Sequence, residues 1–193
     1  MNKLAPMKGF TIVELLIVIV IIGILAAIVI VAYTGIQSRA VNASMLAAFD
    51  QDEKALVAYA EEYGDYPQPT DVDSDPGTGN TYVCLEEPAD LPATSLLPAG
   101  ACATEDYVTN AVSSHINSEL KKIITNIPNA ANYTVSMTSA SLSIRGIFLQ
   151  YDSEATPALG YYVAGHQTTC GRGTPAEFDG ENITACILRL QPV

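Results

Sequence analysis

Residues 10 to 32 read FTIVELLIVIVIIGILAAIVIVA, and Glu14 is the one charge among them. As a helix at about 1.5 Å per residue this run would reach about 34 Å. The hydrocarbon core of a bilayer is about 30 Å thick. A secretory signal has an apolar core of about 7–15 residues ending in a small-residue cleavage site. The run here is longer and leads into a further helical pattern. The segment before it, MNKLAPMKG, carries Lys3 and Lys8 and no acid. Positive charge at that end predicts a cytoplasmic N-terminus with the remainder outside.

Two features depart from a plain anchor. Lys8-Gly9 lies directly before the apolar run, so a cut there falls on the cytoplasmic side. Glu14 sits five residues into the run, counting Phe10 as the first. An ionised carboxylate inside a membrane costs a few kcal/mol near the centre, so it calls for a partner. Cleavage after Gly9 supplies one, because Phe10 then gains an α-amine that is charged near neutral pH. Pairing of Phe10 in one subunit with Glu14 in its neighbour would set axial register. The attraction strengthens in an apolar core, although desolvation offsets part of it.

From these residues, KGFTIVELLIVIVIIGILAAIVIVAYTGIQ resembles the class III signal and N-terminal helix of type IV pilins and pseudopilins over residues 8 to 37. The resemblance implies cleavage after Gly9 by a prepilin peptidase, N-methylation of Phe10, and assembly through Glu14. It implies extraction from the membrane by an ATP-driven assembly platform into a homopolymer of pilin subunits. One residue departs from the pattern. Many relatives carry proline two residues before the tyrosine that matches Tyr33, and this chain has Val31. Proline removes a helix hydrogen bond. Local melting in a filament then depends on Gly23, a weaker breaker at about 1 kcal/mol relative to Ala, and the rod is expected to be straighter near Val31.

The helical pattern continues beyond the run. Val41, Met45, Phe49, Leu56, Ala60 and Tyr63 recur mostly at three- and four-residue steps, with Asp52 and Glu53 interrupting the stripe. No proline occurs between Phe10 and Tyr66, so one helix over residues 10–63 is expected. The division is therefore a leader at 1–9, a helix at 10–63 with its membrane part at 10–32, and an extracellular head at 64–193. The fold class is α+β: a long N-terminal helix packed on an antiparallel head, with an additional helix before the sheet.

Within the head, residues 64–104 read as loop, punctuated by Pro67, Pro69, Pro76, Gly77, Gly79, Pro88, Pro92 and Pro98. A helix is predicted over 105–127 from Val108, Val112, Ile116, Leu120, Ile123 and Ile127, stopped by Pro128. Strands are predicted at 133–137, 142–151, 159–164 and 183–190, with a hairpin connection over 152–157. Tyr161-Tyr162 offers an adhesive surface, although strand alternation puts one ring in the core and one outside.

Cys84, Cys102, Cys170 and Cys186 all lie in this part. An even count behind an export signal favours disulfides. Three pairings are open; Cys84–Cys102 with Cys170–Cys186 closes the two short Pro- and Gly-rich loops. A zinc site through His166 and Cys170 lacks a second close ligand pair. Asp71, Asp73 and Asp75 have the spacing of half a calcium loop, but Pro76 takes the glycine slot and Tyr82 the closing-acid slot. A solvated acidic turn is the better reading, and no metal or cofactor is expected.

The net charge of −12 argues against a general nucleic-acid binder, since Lys121-Lys122 is the longest basic feature. The chain has no H-E-x-x-H, P-loop or G-x-S-x-G motif, and Gly171-Arg172-Gly173-Thr174 is a lone glycine-rich turn. His115 reads as a structural histidine beside Ile116. Asn42, Asn132 and Asn182 stand in N-x-S/T sequons, which matter only where the glycosylating enzyme exists. The reading is a non-enzymatic structural subunit of a type IV pilus. A pseudopilin of a secretion or DNA-uptake machine is the near alternative, and a non-polymerising membrane-anchored binding module the distant one.

Overall fold

Uninterrupted Leu, Ile, Val and Ala with no proline allow a helix to propagate, and α1 runs from Ile12 to Tyr63 through both Gly23 and Val31. The computed structural model describes residues 11–71, 79–94, 97–105, 108–130, 134–136, 143–154, 156–164, 170–177 and 183–193. Two compact units divide at Ala40 and Val41. In the first unit, Ile12–Val29 is apolar apart from Glu14, and none of it is buried. At about 1.5 Å per residue, these 18 residues span about 27 Å.

The second unit holds the other half of α1 and the head. Its buried positions on the helix are Met45, Ala48, Phe49, Asp52, Ala55, Leu56, Tyr59 and Ala60. They recur every three or four residues and so form one stripe. Asp52 belongs to that stripe and does not interrupt it. Glu53, the next residue, is only partly covered.

Among the described residues the sheet has nine strands: β1 (Thr81–Cys84), β2 (Ala101–Glu105), β3 (Val108–Val112), β4 (Thr134–Ser136), β5 (Ser143–Arg145), β6 (Ile147–Tyr151), β7 (Ala158–Ala164), β8 (Thr174–Glu177) and β9 (Ile183–Arg189). Their order is β4-β5-β2-β3-β1-β6-β7-β9-β8. Every pair is antiparallel except β1 with β3. The architecture is α+β, a long helix with an antiparallel-rich sheet and an extra short helix, α2 (Ser114–Leu120).

Two local expectations are corrected. Residues 64–104 are not all loop, since β1 and most of β2 lie there. The helix expected over 105–127 is reduced to α2, and β3 takes the preceding residues. Val108, Val112, Ile116 and Leu120 are spaced by four, and four is also a multiple of the strand period of two. Apolar spacing alone therefore leaves the element undecided. Val, Thr and Val in 108–112 favour the strand, and Ser113 begins the helix by accepting the amide of Ile116 at 3.0 Å.

Alternation sorts the sheet into two faces. Val83, Ile147, Leu149, Leu159, Tyr161 and Val163 join the α1 stripe with Ile116 and Leu120 of α2. Phe49 meets Tyr161 at 4.7 Å between ring centroids, tilted by 58°. Phe148, Cys84, Cys102 and Leu91 form the cluster on the other face, edged by Tyr82 and Tyr162. Gly160 makes room there: a Cβ at that position would run into the Phe148 ring.

Disulfides join Cys84 to Cys102 and Cys170 to Cys186. The first lies in the outer cluster and the second touches the main core. In β7, Tyr161 is buried and Tyr162 partly exposed, as the alternation requires.

Candidate functional site

The candidate site is the start of α1. Thr11 has no helical partner for its amide, as at every helix N-terminus. Its amide donates to Glu14 Oε2 at 2.9 Å and its hydroxyl donates to the same oxygen at 2.7 Å. In return, the Glu14 amide donates to Thr11 Oγ1 at 3.2 Å. This reciprocal pair is a capping box, Thr-x-x-Glu with the acid at the third helical position. The acid also lies at the positive end of the helix dipole. Sequence reasoning missed this role, although Thr11-Ile12-Val13-Glu14 matches the pattern. Both bonds from Thr11 use one oxygen, and a carboxylate has a second with which to accept another donor. Gly9 and Phe10 lie outside the described residues.

Following Glu14, the helix presents apolar side chains on all sides. Those of Ile12 to Val29 are between 46% exposed at Val18 and 83% at Ile12. Contiguous apolar surface on this scale marks a membrane or protein contact. Gly23 has open space where a Cβ would stand, so no close approach within the chain demands a glycine there.

The head contributes clamps. Asp71, read from the sequence as part of an acidic turn, accepts the Ser113 hydroxyl, the Ser114 hydroxyl at 2.8 Å and the His115 amide at 3.0 Å. Burial raises its pKa, but the bonds donated by Ser113, Ser114 and His115 outweigh that and hold it at about 2. Asp73, Asp75 and Pro76 of the half calcium loop lie outside the described residues, as do His166, Asn132 and Asn182. Asn42 is on α1 and partly exposed, and His115 on α2 is also partly exposed.

Arg172, in the lone glycine-rich turn, pairs with Glu53 and lies 3.5 Å from Asp50, tying that turn to α1. Tyr59 donates to Glu119, which also receives Lys122 at 2.6 Å. Tyr63 stacks on Tyr59 at 4.5 Å, and Lys122 stands 5.2 Å over the Tyr63 ring. Among the described residues, no group of three or more His, Cys, Asp or Glu is placed to hold a metal ion. The clamps are structural: Arg172 and Glu119 tie the Val41–Tyr63 part of α1 to the head, and Asp71 ties the chain after α1 to the start of α2.

Residues 5–30 match the prokaryotic N-terminal methylation motif. Over 60 residues the chain is 39% identical to a "Fimbrial protein" of Neisseria meningitidis serogroup B (strain ATCC BAA-335 / MC58), covering 31% of this chain and 35% of that one. Over 61 residues it is 38% identical to "Type IV major pilin protein PilE1" of Neisseria gonorrhoeae, covering 32% of this chain and 37% of that one. The similarity thus spans about a third of the curated relatives it matches. No solved structure matches the chain.

Proposed function

We propose that the chain, which is similar to type IV pilins over its N-terminal third, is a structural subunit of a type IV pilus. A prepilin peptidase cuts after Gly9 and methylates Phe10. The subunit waits in the cytoplasmic or inner membrane with its head outside, and an assembly platform then moves it into a surface filament made of its own copies.

The observation that carries this reading is the unburied apolar surface of Ile12–Val29 together with an acid at its start. That surface needs a membrane before assembly and neighbouring helices after it. Glu14 is already partnered by Thr11, so it does not enter the apolar phase as a bare charge. Its second oxygen is the acceptor for the Phe10 amine of the next subunit.

The test is to shear cells, collect filaments and sequence the N-terminal peptide by mass spectrometry. A pilus subunit gives a peptide beginning at Phe10 and heavier by one methyl group. A pseudopilin is processed in the same way but stays out of sheared surface filaments. An anchored, non-polymerising module keeps its leader and remains in the membrane fraction.

A further inference from the structure

Asp52 stands at the centre of the stripe that α1 turns to the sheet, with Phe49 and Leu56 on either side. It is fully buried, and neither of its oxygens has a hydrogen-bond partner among the described residues. Glu86, just after β1, is also fully buried. Its Oε1 accepts the Ile147 amide at 2.6 Å, and its Oε2 has no partner among the described residues. The backbone makes space for this carboxyl. Gly146 has a φ of +71°, and a Cβ there would collide with the Glu86 carboxyl oxygens.

The surroundings offer acceptors. Asn117 of α2 donates its Nδ2 to the Glu86 carbonyl at 3.0 Å, and its Oδ1 is unpartnered. Arg145 of β5 is the buried cation nearby, but its guanidinium donates to the carbonyls of Ala101 at 2.9 Å, Pro92 at 2.8 Å and Pro98 at 3.3 Å. Its charge acts on Glu86 through space, and the charge of Asp90 opposes it. Glu86 is in turn the charge that acts on Asp52. Two buried carboxylates, one with a single donor and the other with none, would cost several kcal/mol each if ionised. Protonation removes that cost and turns each acid into an O–H donor.

We propose that Asp52 and Glu86 are a buried, proton-holding acid pair that latches the Val41–Tyr63 part of α1 to the sheet, and that the latch weakens as the surroundings turn from acidic to alkaline. Burial, with the neighbouring Glu86 charge, lifts Asp52 well above the ordinary carboxylate range. Burial likewise lifts Glu86 to about 8, against the pull of the Ile147 amide and Arg145. In the unfolded chain both acids ionise in the ordinary carboxylate range, near 4. The folded state therefore holds protons that the unfolded state has released. Stability from the pair is complete below the ordinary carboxylate pKa and is lost as pH rises through the raised values.

The experiment uses the full chain in detergent micelles, unfolded in guanidinium chloride and followed by near-ultraviolet circular dichroism from pH 5 to pH 8. The high ionic strength screens the general surface charge. Each proton released on unfolding raises the unfolding constant by up to about tenfold per pH unit. Asp52→Asn and Glu86→Gln are each expected to flatten that dependence, since an amide fills the same space and brings donors without titrating. Variant slopes equal to that of the unchanged protein would overturn the proposal. If a variant does not fold, the infrared carbonyl band of a protonated carboxylic acid in the unchanged protein decides. Its persistence at pH 7 is expected, and its absence overturns the proposal.

Discussion

Thr11 and Glu14 satisfy each other at the start of α1: amide and hydroxyl of the first to the carboxylate of the second, and the amide of the second back to the hydroxyl of the first. The acid proposed as an assembly device is therefore also the residue that closes its own helix. Thr11→Ala removes the hydroxyl and is expected to destabilise the first turn by about 1 kcal/mol. Amide hydrogen exchange in micelles at Val13 and Glu14 should speed up, while Thr11→Ser keeps the slow exchange. Equal exchange in all three proteins would show that the capping bonds contribute nothing.

Removing Phe49 should loosen the head from α1. The ring is fully buried against Tyr161, and truncation of a buried Phe costs about 3–5 kcal/mol. Phe49→Ala is expected to lower the guanidinium midpoint by the corresponding amount, with Phe49→Leu intermediate. A loss below about 1 kcal/mol would mean that the helix stripe does not hold the core together.

Acid should melt the start of α2. The Asp71 carboxyl is held at about 2, below its ordinary value near 3.9. Its contribution is present above that ordinary value and is lost as pH falls towards 2. Asp71→Asn should therefore be less stable than the unchanged protein at pH 6, and the gap should narrow as pH approaches 2. Thermal melts across that range check the prediction, and a gap that stays constant with pH contradicts it.

The two disulfides should contribute separately. Each closes a loop of under twenty residues, which corresponds to about 3 kcal/mol on the loop-entropy model. Replacing the Cys84–Cys102 pair with serines should lower stability by about that much, and so should replacing Cys170–Cys186. The second replacement also releases the turn that Arg172 ties to Glu53 and Asp50. Arg172→Ala alone should cost under about 1 kcal/mol, since the Arg172 side chain is nearly half exposed to solvent. Denaturant curves of the double and single variants separate the two effects.

How far the sequence could be read follows from particular residues. An unbroken proline-free apolar run leaves little choice but helix, and the junction at Gly9, Phe10 and Glu14 is a dense motif. Strands β6, β7 and β9 carry enough Ile, Leu, Val and Tyr to declare themselves. β1, β2 and β8 do not: TYVC, ACATE and TPAE are short, and sheet pairing rather than propensity decides them. The four-residue spacing of Val108 to Leu120 fits strand and helix alike. The hardest feature to foresee was Asp52, because an acid within a stripe reads as an interruption until its burial is seen. The capping role of Glu14 was available in the T-x-x-E pattern but was masked by its conspicuous place in an apolar run.

A density map of the assembled filament tests the central claim most directly. It should show Ile12–Val29 of neighbouring copies packed side by side in the core. The Phe10 amine of one subunit should lie within hydrogen-bond reach of Glu14 in the next. Filaments whose core excludes these helices, or in which Glu14 faces no amine, would contradict the account.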